Sequence, residues 1–198
     1  MKIEPIAASR MDLALKRVFD LVASVFLLLA LLPLLLVVGL LVALGSPGGA
    51  LFIQQRVGRG RRLFCMYKFR SMVKGADKTG PYHTSVNDTR ITFLGKMLRS
   101  TSLDELPQLF NVLRGDMSLV GPRPDVPEQR DLYSESEWCL RHTVRPGVTG
   151  LAQVVARNTA TQAERIALDL EYVKSATVKN DISILLRTAR NLVLKRSY

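Results

Sequence analysis

Between Leu21 and Leu44 the chain reads LVASVFLLLALLPLLLVVGLLVAL, 24 residues without a charge. A helix of that length crosses the hydrocarbon core of a bilayer, so the chain is expected to be membrane-bound. A secretory leader would have a shorter apolar stretch followed by a small-residue cleavage site. Pro33 stands at the midpoint of the run, where its ring removes one backbone hydrogen bond and crowds the preceding turn, so a kink or break is expected there. Cations flank both ends. Lys2, Arg10, Lys16 and Arg17 precede the run, while Arg56, Arg59, Arg61, Arg62, Lys68, Arg70 and Lys74 follow it with no acid before Asp77. Lys and Arg concentrate on the cytoplasmic side, so the pattern favours a helix that enters, bends at Pro33 and leaves by the same face. An ordinary bitopic anchor with a tolerated proline is the other topology these residues allow.

Past this segment the sequence fits one further unit. Its 198 residues hold 28 Lys and Arg against 17 Asp and Glu, a net charge of +11, which points to an anionic partner: nucleic acid, anionic lipid or a phosphorylated small molecule. Cys65 and Cys139 have no metal-binding or redox spacing and read as free thiols. The expected division is 1–45 for the membrane segment and 46–198 for a compact domain of the α/β class, rich in helix with a few short strands. SPGG at 46–49 marks the exit from the membrane. LFIQQRVGRGRRLFCMYKFRSM then reads as strand, Gly/Arg loop and strand, with Lys68 and Arg70 on one face and Cys65, Tyr67 and Phe69 on the other. Aligned cations of this kind suit a phosphate or a solvated surface. A polar loop is expected over 75–87, a short helix over 91–98 that brings Lys96 and Arg99 toward an acidic pair, and two helices near 163–175 and 182–195. The first of these places Ile166, Leu170 and Val173 on one face; the second places Leu185, Ala189 and Leu192, and suits either a core or a membrane surface.

The acidic pair is Asp104-Glu105, in TSLDELPQLFNVLRGDMSLVGPRP. Ser102-Leu103-Asp104-Glu105 matches a capping box, in which Glu105 would only satisfy a backbone amide. Pro107 argues for a different start, with proline at the first helical position, Leu106 as the cap and both acids just outside. Carboxylates at that place sit against the positive end of the helix, where phosphate also binds, and a hard divalent cation such as Mg²⁺ would reconcile the two anions. Downstream, Arg123 stands between two prolines in GPRP and Arg145 opens RPG, whose backbone amides could approach an anion.

Together these segments, with KRVFDLVAS before the apolar run, VRPGVTGLAQV and LDLEYVK, resemble the bacterial sugar transferase family of monotopic phosphoglycosyl transferases over nearly the whole chain. The resemblance implies a re-entrant helix bent at a proline, a cytoplasmic active site at the surface of the bacterial inner membrane, an Asp-Glu dyad and Mg²⁺. It implies transfer of a sugar-1-phosphate from a UDP-sugar to polyprenyl phosphate with release of UMP, as a first step that downstream glycosyltransferases extend. Asp104 corresponds to the nucleophile and Glu105 to its partner. Both are the candidate metal ligands, and Lys68, Arg70, Arg99, Arg123 and Arg145 are candidate phosphate contacts. Many relatives carry Ser-Pro at the bend where this chain has Leu32-Pro33. A competing expectation is a membrane-tethered basic module for nucleic acid or anionic lipid; aromatic residues make up only 7% of the chain and no basic-aromatic array recurs, so nucleic acid is not the expected partner. Sugar selectivity is expected in the loops 75–87 and 156–162.

Overall fold

A computed structural model describes residues 10–45, 47–77, 79, 88–156 and 160–194. Lys2, Ser46, Lys195, most of the loop 75–87 and residues 157–159 of the second expected selectivity loop lie outside the described residues.

Helix α1, Arg10–Gly45, runs for 36 residues, about 54 Å at 1.5 Å per residue. Of the kink or break expected at Pro33, the break is not seen: the helix continues through it as one element. Pro33 and Leu29, whose carbonyl loses its partner, both lie on the exposed side of the helix, where the loss leaves the packed side untouched. That packed side is a single stripe. Lys16, Asp20, Ser24, Leu28, Leu35, Val38 and Val42 are all buried, at steps of three, four or seven residues. Between them Val22, Phe26, Leu29, Leu36 and Leu40 are exposed and form an apolar surface. Leu28, Leu35, Val38 and Val42 belong to the same core as Met66 and Phe69, Leu109 and Val112, Val120 and Val173.

Strands β1, Leu51–Val57, and β2, Leu63–Phe69, form the antiparallel hairpin expected from the sequence, with Phe52 opposite Lys68. The Gly/Arg loop between them turns through positive φ at Gly60 and Arg61. Helix α2, Phe93–Ser100, is capped by the Thr92 hydroxyl, which accepts from the Gly95 amide. Gly95 packs against the backbone of Ser71 so closely that a Cβ there would lie 1.9 Å from the Ser71 carbonyl oxygen. Helix α3, Gln108–Arg114, leads to β3, Ser118–Val120; α4, Glu135–Arg141, leads to β4, Gly147–Thr149. The two short strands pair in parallel, Ser118 with Gly147 and Val120 with Thr149. Helices α5, Leu151–Val155, α6, Gln162–Lys174, and α7, Val178–Val193, complete the fold. Helix-rich with a few short strands, this is the expected α/β class.

On α6 the expected face holds: Ile166 and Val173 are buried and Leu170 packs beside Trp138 and Tyr133. On α7 it shifts. Thr177 caps the helix four residues earlier than expected, and the inward positions are Asp181, Ile184 and Leu185, while Ala189 and Leu192 are exposed. The chain carries two apolar stripes here, and Ile182, Leu186 and Val193 point outward.

Polar side chains of α1 tie it to β3 and α7. Lys16 Nζ donates to the Val120 carbonyl at 3.1 Å and pairs with Asp181. The Tyr172 hydroxyl joins the same two groups, at 2.8 Å from the carbonyl and 2.7 Å from the carboxylate. Asp20 accepts from the Ser118 hydroxyl and the Leu119 amide, each at 3.1 Å. Buried polar groups demand partners, and these supply each other's.

Candidate active site

Chain direction reverses between α2 and α3 at Ser102, which adopts the left-handed conformation with φ 57°. A non-glycine residue there costs about 1–2 kcal/mol, strain of the kind that gathers at functional sites. Leu103, Asp104 and Glu105 then form one 3-10 turn that runs through Leu106 into α3, whose N-cap is Pro107. The helix thus begins one residue later than expected, and the acids lie outside it as expected. No capping box forms, because Ser102 makes no side-chain cap. Instead Glu105 Oε1 accepts from Lys68 Nζ at 2.9 Å and from Arg123 NH2 at 3.0 Å.

The two neighbouring carboxylates are electrostatically unlike. Burial alone would raise Glu105, but Lys68 and Arg123 offset it and hold the carboxyl well below the usual range. Asp104 is 7% exposed, and its carboxylate accepts no hydrogen bond from a described residue. Burial, with the Glu105 charge beside it, pushes Asp104 upward against the pull of Lys68, Arg99 and Arg123. Adjacent acids driven apart in this way take different chemical roles. Glu105 is an anion that holds two cations; Asp104 is a carboxyl group with no hydrogen-bond donor among the described residues.

Asp104, Glu105, Lys68, Arg70, Arg99 and Arg123 all line one cleft of about 1300 Å³. Their roles in it differ. Arg70 spends its guanidinium on the backbone, donating to the carbonyls of Gly48, Gly49 and Leu51 at 2.6, 3.0 and 2.9 Å, which secures the turn after α1. Arg145 is not among the residues lining the cleft. It donates from Nε to the Gly115 carbonyl at 2.8 Å, behind the C-terminus of α3. There Arg17 of α1 also reaches the Val112 and Leu113 carbonyls, at 2.7 and 3.0 Å. These cations complement the negative end of α3.

Arg145 nonetheless opens the loop that supports Arg123. A Cβ on Gly147 would lie 2.1 Å from the Gly121 amide, and one on Gly121 would lie 2.4 Å from the Arg145 carbonyl. The Gly121 amide donates to Thr149 O and the Gly147 amide to Pro122 O, each at 2.9 Å. Two motifs that read separately in the sequence are one backbone-to-backbone unit, and only glycine permits the approach.

Sequence reasoning missed the residues that hold this unit from beneath. Arg141, buried, bonds Asp169 through Nε and NH2 at 3.0 and 2.8 Å, pairs with Asp125, and donates from NH2 to the Arg123 carbonyl at 2.7 Å. The Tyr133 hydroxyl bonds Asp125 at 3.0 Å. Arg56 donates to the Pro124 carbonyl at 2.9 Å, and burial together with Arg123 brings it down to about 10. The one available signal was Asp169 itself, an acid between two leucines on a helix.

Among the described residues no cluster of three or more His, Cys, Asp or Glu could hold a metal. Mg²⁺ does not need one, since it commonly takes one or two carboxylates and fills its shell with phosphate oxygens and water. Asp104, set in the cleft wall and without a hydrogen-bond donor among the described residues, fits such an ion, with Glu105 adjoining.

An Asp-Glu turn with two cations on its glutamate and a long apolar helix that packs on the main core are thus the features of this cleft region. Residues 11–195 match the bacterial sugar transferase family, to which the chain belongs. It is 45% identical, over 96% of its length, to an undecaprenyl-phosphate glucose phosphotransferase of Komagataeibacter xylinus, of which it spans 38%. It is 44% identical, over 90% of its length, to a UDP-glucose:undecaprenyl-phosphate glucose-1-phosphate transferase of Caulobacter vibrioides, of which it spans 69%. A Rhizobium leguminosarum exopolysaccharide production protein is nearer in size: 46% identity covers 90% of this chain and 94% of that one.

Proposed function

We propose that this protein transfers a sugar-1-phosphate from a UDP-sugar to undecaprenyl phosphate, releasing UMP, and that Asp104 carries the sugar phosphate in between. The observation that carries this reading is the contrast within the acidic turn: Glu105 holds two cations while Asp104, buried beside it, holds none of the described donors. The names of the relatives support the substrates.

An Asp104 carboxylate oxygen attacks the sugar-linked phosphorus, the bond from that phosphorus to the bridging oxygen breaks, and UMP departs with the electron pair. Lys68 and Arg123, oriented by Glu105, face the diphosphate, and Arg99 adds its charge beside Asp104. A phosphate monoester is largely ionised near neutral pH, with its second pKa at about 6, so undecaprenyl phosphate needs little help from a base. Its oxygen attacks the acyl phosphate, the bond to Asp104 breaks, and the carboxylate is restored. Bound Mg²⁺, held by Asp104 and Glu105, would neutralise phosphate charge.

Membrane placement follows from surfaces. The outer faces of α1, Phe93 and Met97 of α2, and Ile182, Leu186 and Val193 of α7 are exposed and apolar, suited to lipid. Because one stripe of α1 stays on the domain from Lys16 to Val42, a re-entrant path that keeps the domain on the cytoplasmic face suits it better than a crossing that would pull the domain into the bilayer. The product is a lipid-linked sugar, a substrate for downstream glycosyltransferases.

Incubating the purified protein with a UDP-sugar labelled in the β-phosphate tests the chemistry. Label on the protein and UMP in solution are expected without any lipid acceptor, and both vanish in Asp104→Asn. A fully active Asn variant contradicts the proposal. Screening UDP-glucose, UDP-galactose and UDP-N-acetylgalactosamine identifies the sugar.

A further inference from the structure

Residues 121–126 have no regular secondary structure, yet every carbonyl from Pro122 to Asp125 has a donor. The Gly147 amide holds Pro122, the Arg141 guanidinium holds Arg123, the Arg56 guanidinium holds Pro124 and the Val57 amide holds Asp125, at 2.9, 2.7, 2.9 and 2.9 Å. Pro122 and Pro124 have no N–H to give, so the segment depends on what its carbonyls accept. The Arg123 side chain is half exposed and reaches Glu105 Oε1 at 3.0 Å. A half-exposed arginine has many rotamers to lose, so its aim rests on how firmly its backbone is fixed.

Arg141 stands behind that backbone and is itself 4% exposed. Its Nε and NH2 donate to Asp169 of α6, NH1 to Asp125 and NH2 again to the Arg123 carbonyl, so every nitrogen of the guanidinium is engaged within the protein. Buried ion groups of this kind add little net stability, because desolvation offsets the attraction. What the group does supply is direction: a planar fork meets acceptors on α6 and on the 121–126 segment at once, which the single ammonium of a lysine does not. We propose that Arg141 is a positioning residue for the transfer: through the Arg123 carbonyl it fixes where the Arg123 guanidinium stands beside Glu105 and the diphosphate. Asp169 orients Arg141 in turn. This rests on the function proposed above, in which Arg123 faces the diphosphate.

The test makes Arg141→Lys in the full chain, with and without Arg123→Ala, and reads two quantities in phospholipid nanodiscs: Tm, and the rate of UMP release from a UDP-sugar before any acceptor is added. With Arg123 in place, Arg141→Lys should slow release by about tenfold, within the 10²-fold or so that a misplaced group costs, while the half-saturating UDP-sugar concentration stays within about threefold. In the Arg123→Ala background the same change should slow release less than about twofold, because the group it misplaces is already gone. Tm should fall equally in both backgrounds. Equal slowing with and without Arg123, or an Arg141→Lys protein as fast as wild type, overturns the proposal. Should Arg141→Lys fail to fold, Asp169→Asn, which removes the charge that orients Arg141, decides by the same criteria. A readout without chemistry is the Arg123 Nε signal in ¹⁵N NMR, assigned by its loss in Arg123→Ala. It should be ordered in wild type and motionally averaged in the variant, and an unchanged signal contradicts the proposal. If the wild-type protein releases no UMP from any UDP-sugar, the proposed function falls, and this signal alone then judges whether Arg141 positions Arg123.

Discussion

Helix α3 is handled differently at its two ends. At its C-terminus Arg17 and Arg145 spend their donors on the Val112, Leu113 and Gly115 carbonyls, which fixes the helix between α1 and the RPG loop. At its N-terminus Lys68 and Arg123 meet at Glu105, and Asp104 has none of the described hydrogen-bond donors. Both ends pair cations with oxygen acceptors. Only the second leaves an anion in reserve at the wall of a cleft, and that separates architecture from chemistry in a protein rich in arginine.

The largest effect that sharpens this contrast is on Asp104. Asp104→Asn should lower turnover by at least about 10³-fold, as loss of a nucleophile does. Next come the paired arginines. Arg123→Ala should cost about 10²-fold in kcat/KM, the scale of one lost electrostatic donor, and little in Tm. Arg145→Ala should do the reverse, costing about 1–2 kcal/mol of stability for one charged hydrogen bond while kcat/KM stays within about threefold. A catalytically dead but fully stable Arg145→Ala protein would break the comparison.

Stability against pH gives a smaller and oppositely signed pair. Glu105 is depressed in the fold, so its contribution is present above the unfolded value of about 4.3 and is lost as pH falls through the folded one. Asp104 is raised, so its contribution is complete below about 3.9 and is lost as pH rises through the folded pKa. In EDTA-treated protein at pH 7, Asp104→Asn should therefore raise Tm and Glu105→Gln should lower it, by about 2–4 °C for each kcal/mol. The same shift predicts that kcat/KM climbs with pH through the raised Asp104 pKa, and that increasing Mg²⁺ moves this limb to lower pH. A limb indifferent to Mg²⁺ would argue against Asp104 as a ligand. Smallest of all, Leu186→Glu on the outer face of α7 should weaken vesicle association by roughly 1 kcal/mol or more and leave Tm alone.

Much of the site was legible in the sequence because it is local. Asp104 and Glu105 are adjacent, Pro107 fixes the helix start to within a residue, and strand alternation puts Lys68 on the face that meets them. What was not legible depends on contacts across the fold. The carbonyl contacts of Arg70 and Arg145 were among these, because an arginine beside a turn looks the same in sequence whether it meets a ligand or a carbonyl. Arg141 and Asp169 meet from separate helices, so neither announces the other. The α7 face shifted because its sequence carries two apolar stripes, and only packing decides which turns inward. Pro33 did not divide α1, since a stripe of buried contacts on the opposite side holds the helix together past it.

One measurement reaches the centre directly: rapid-quench analysis of UMP release when enzyme meets UDP-sugar before any polyprenyl phosphate is added. A burst of one UMP per enzyme is expected, with the phosphosugar recovered on the peptide that contains Asp104. If no UMP appears until the acceptor arrives, and no peptide ever carries the label, Asp104 is not the carrier.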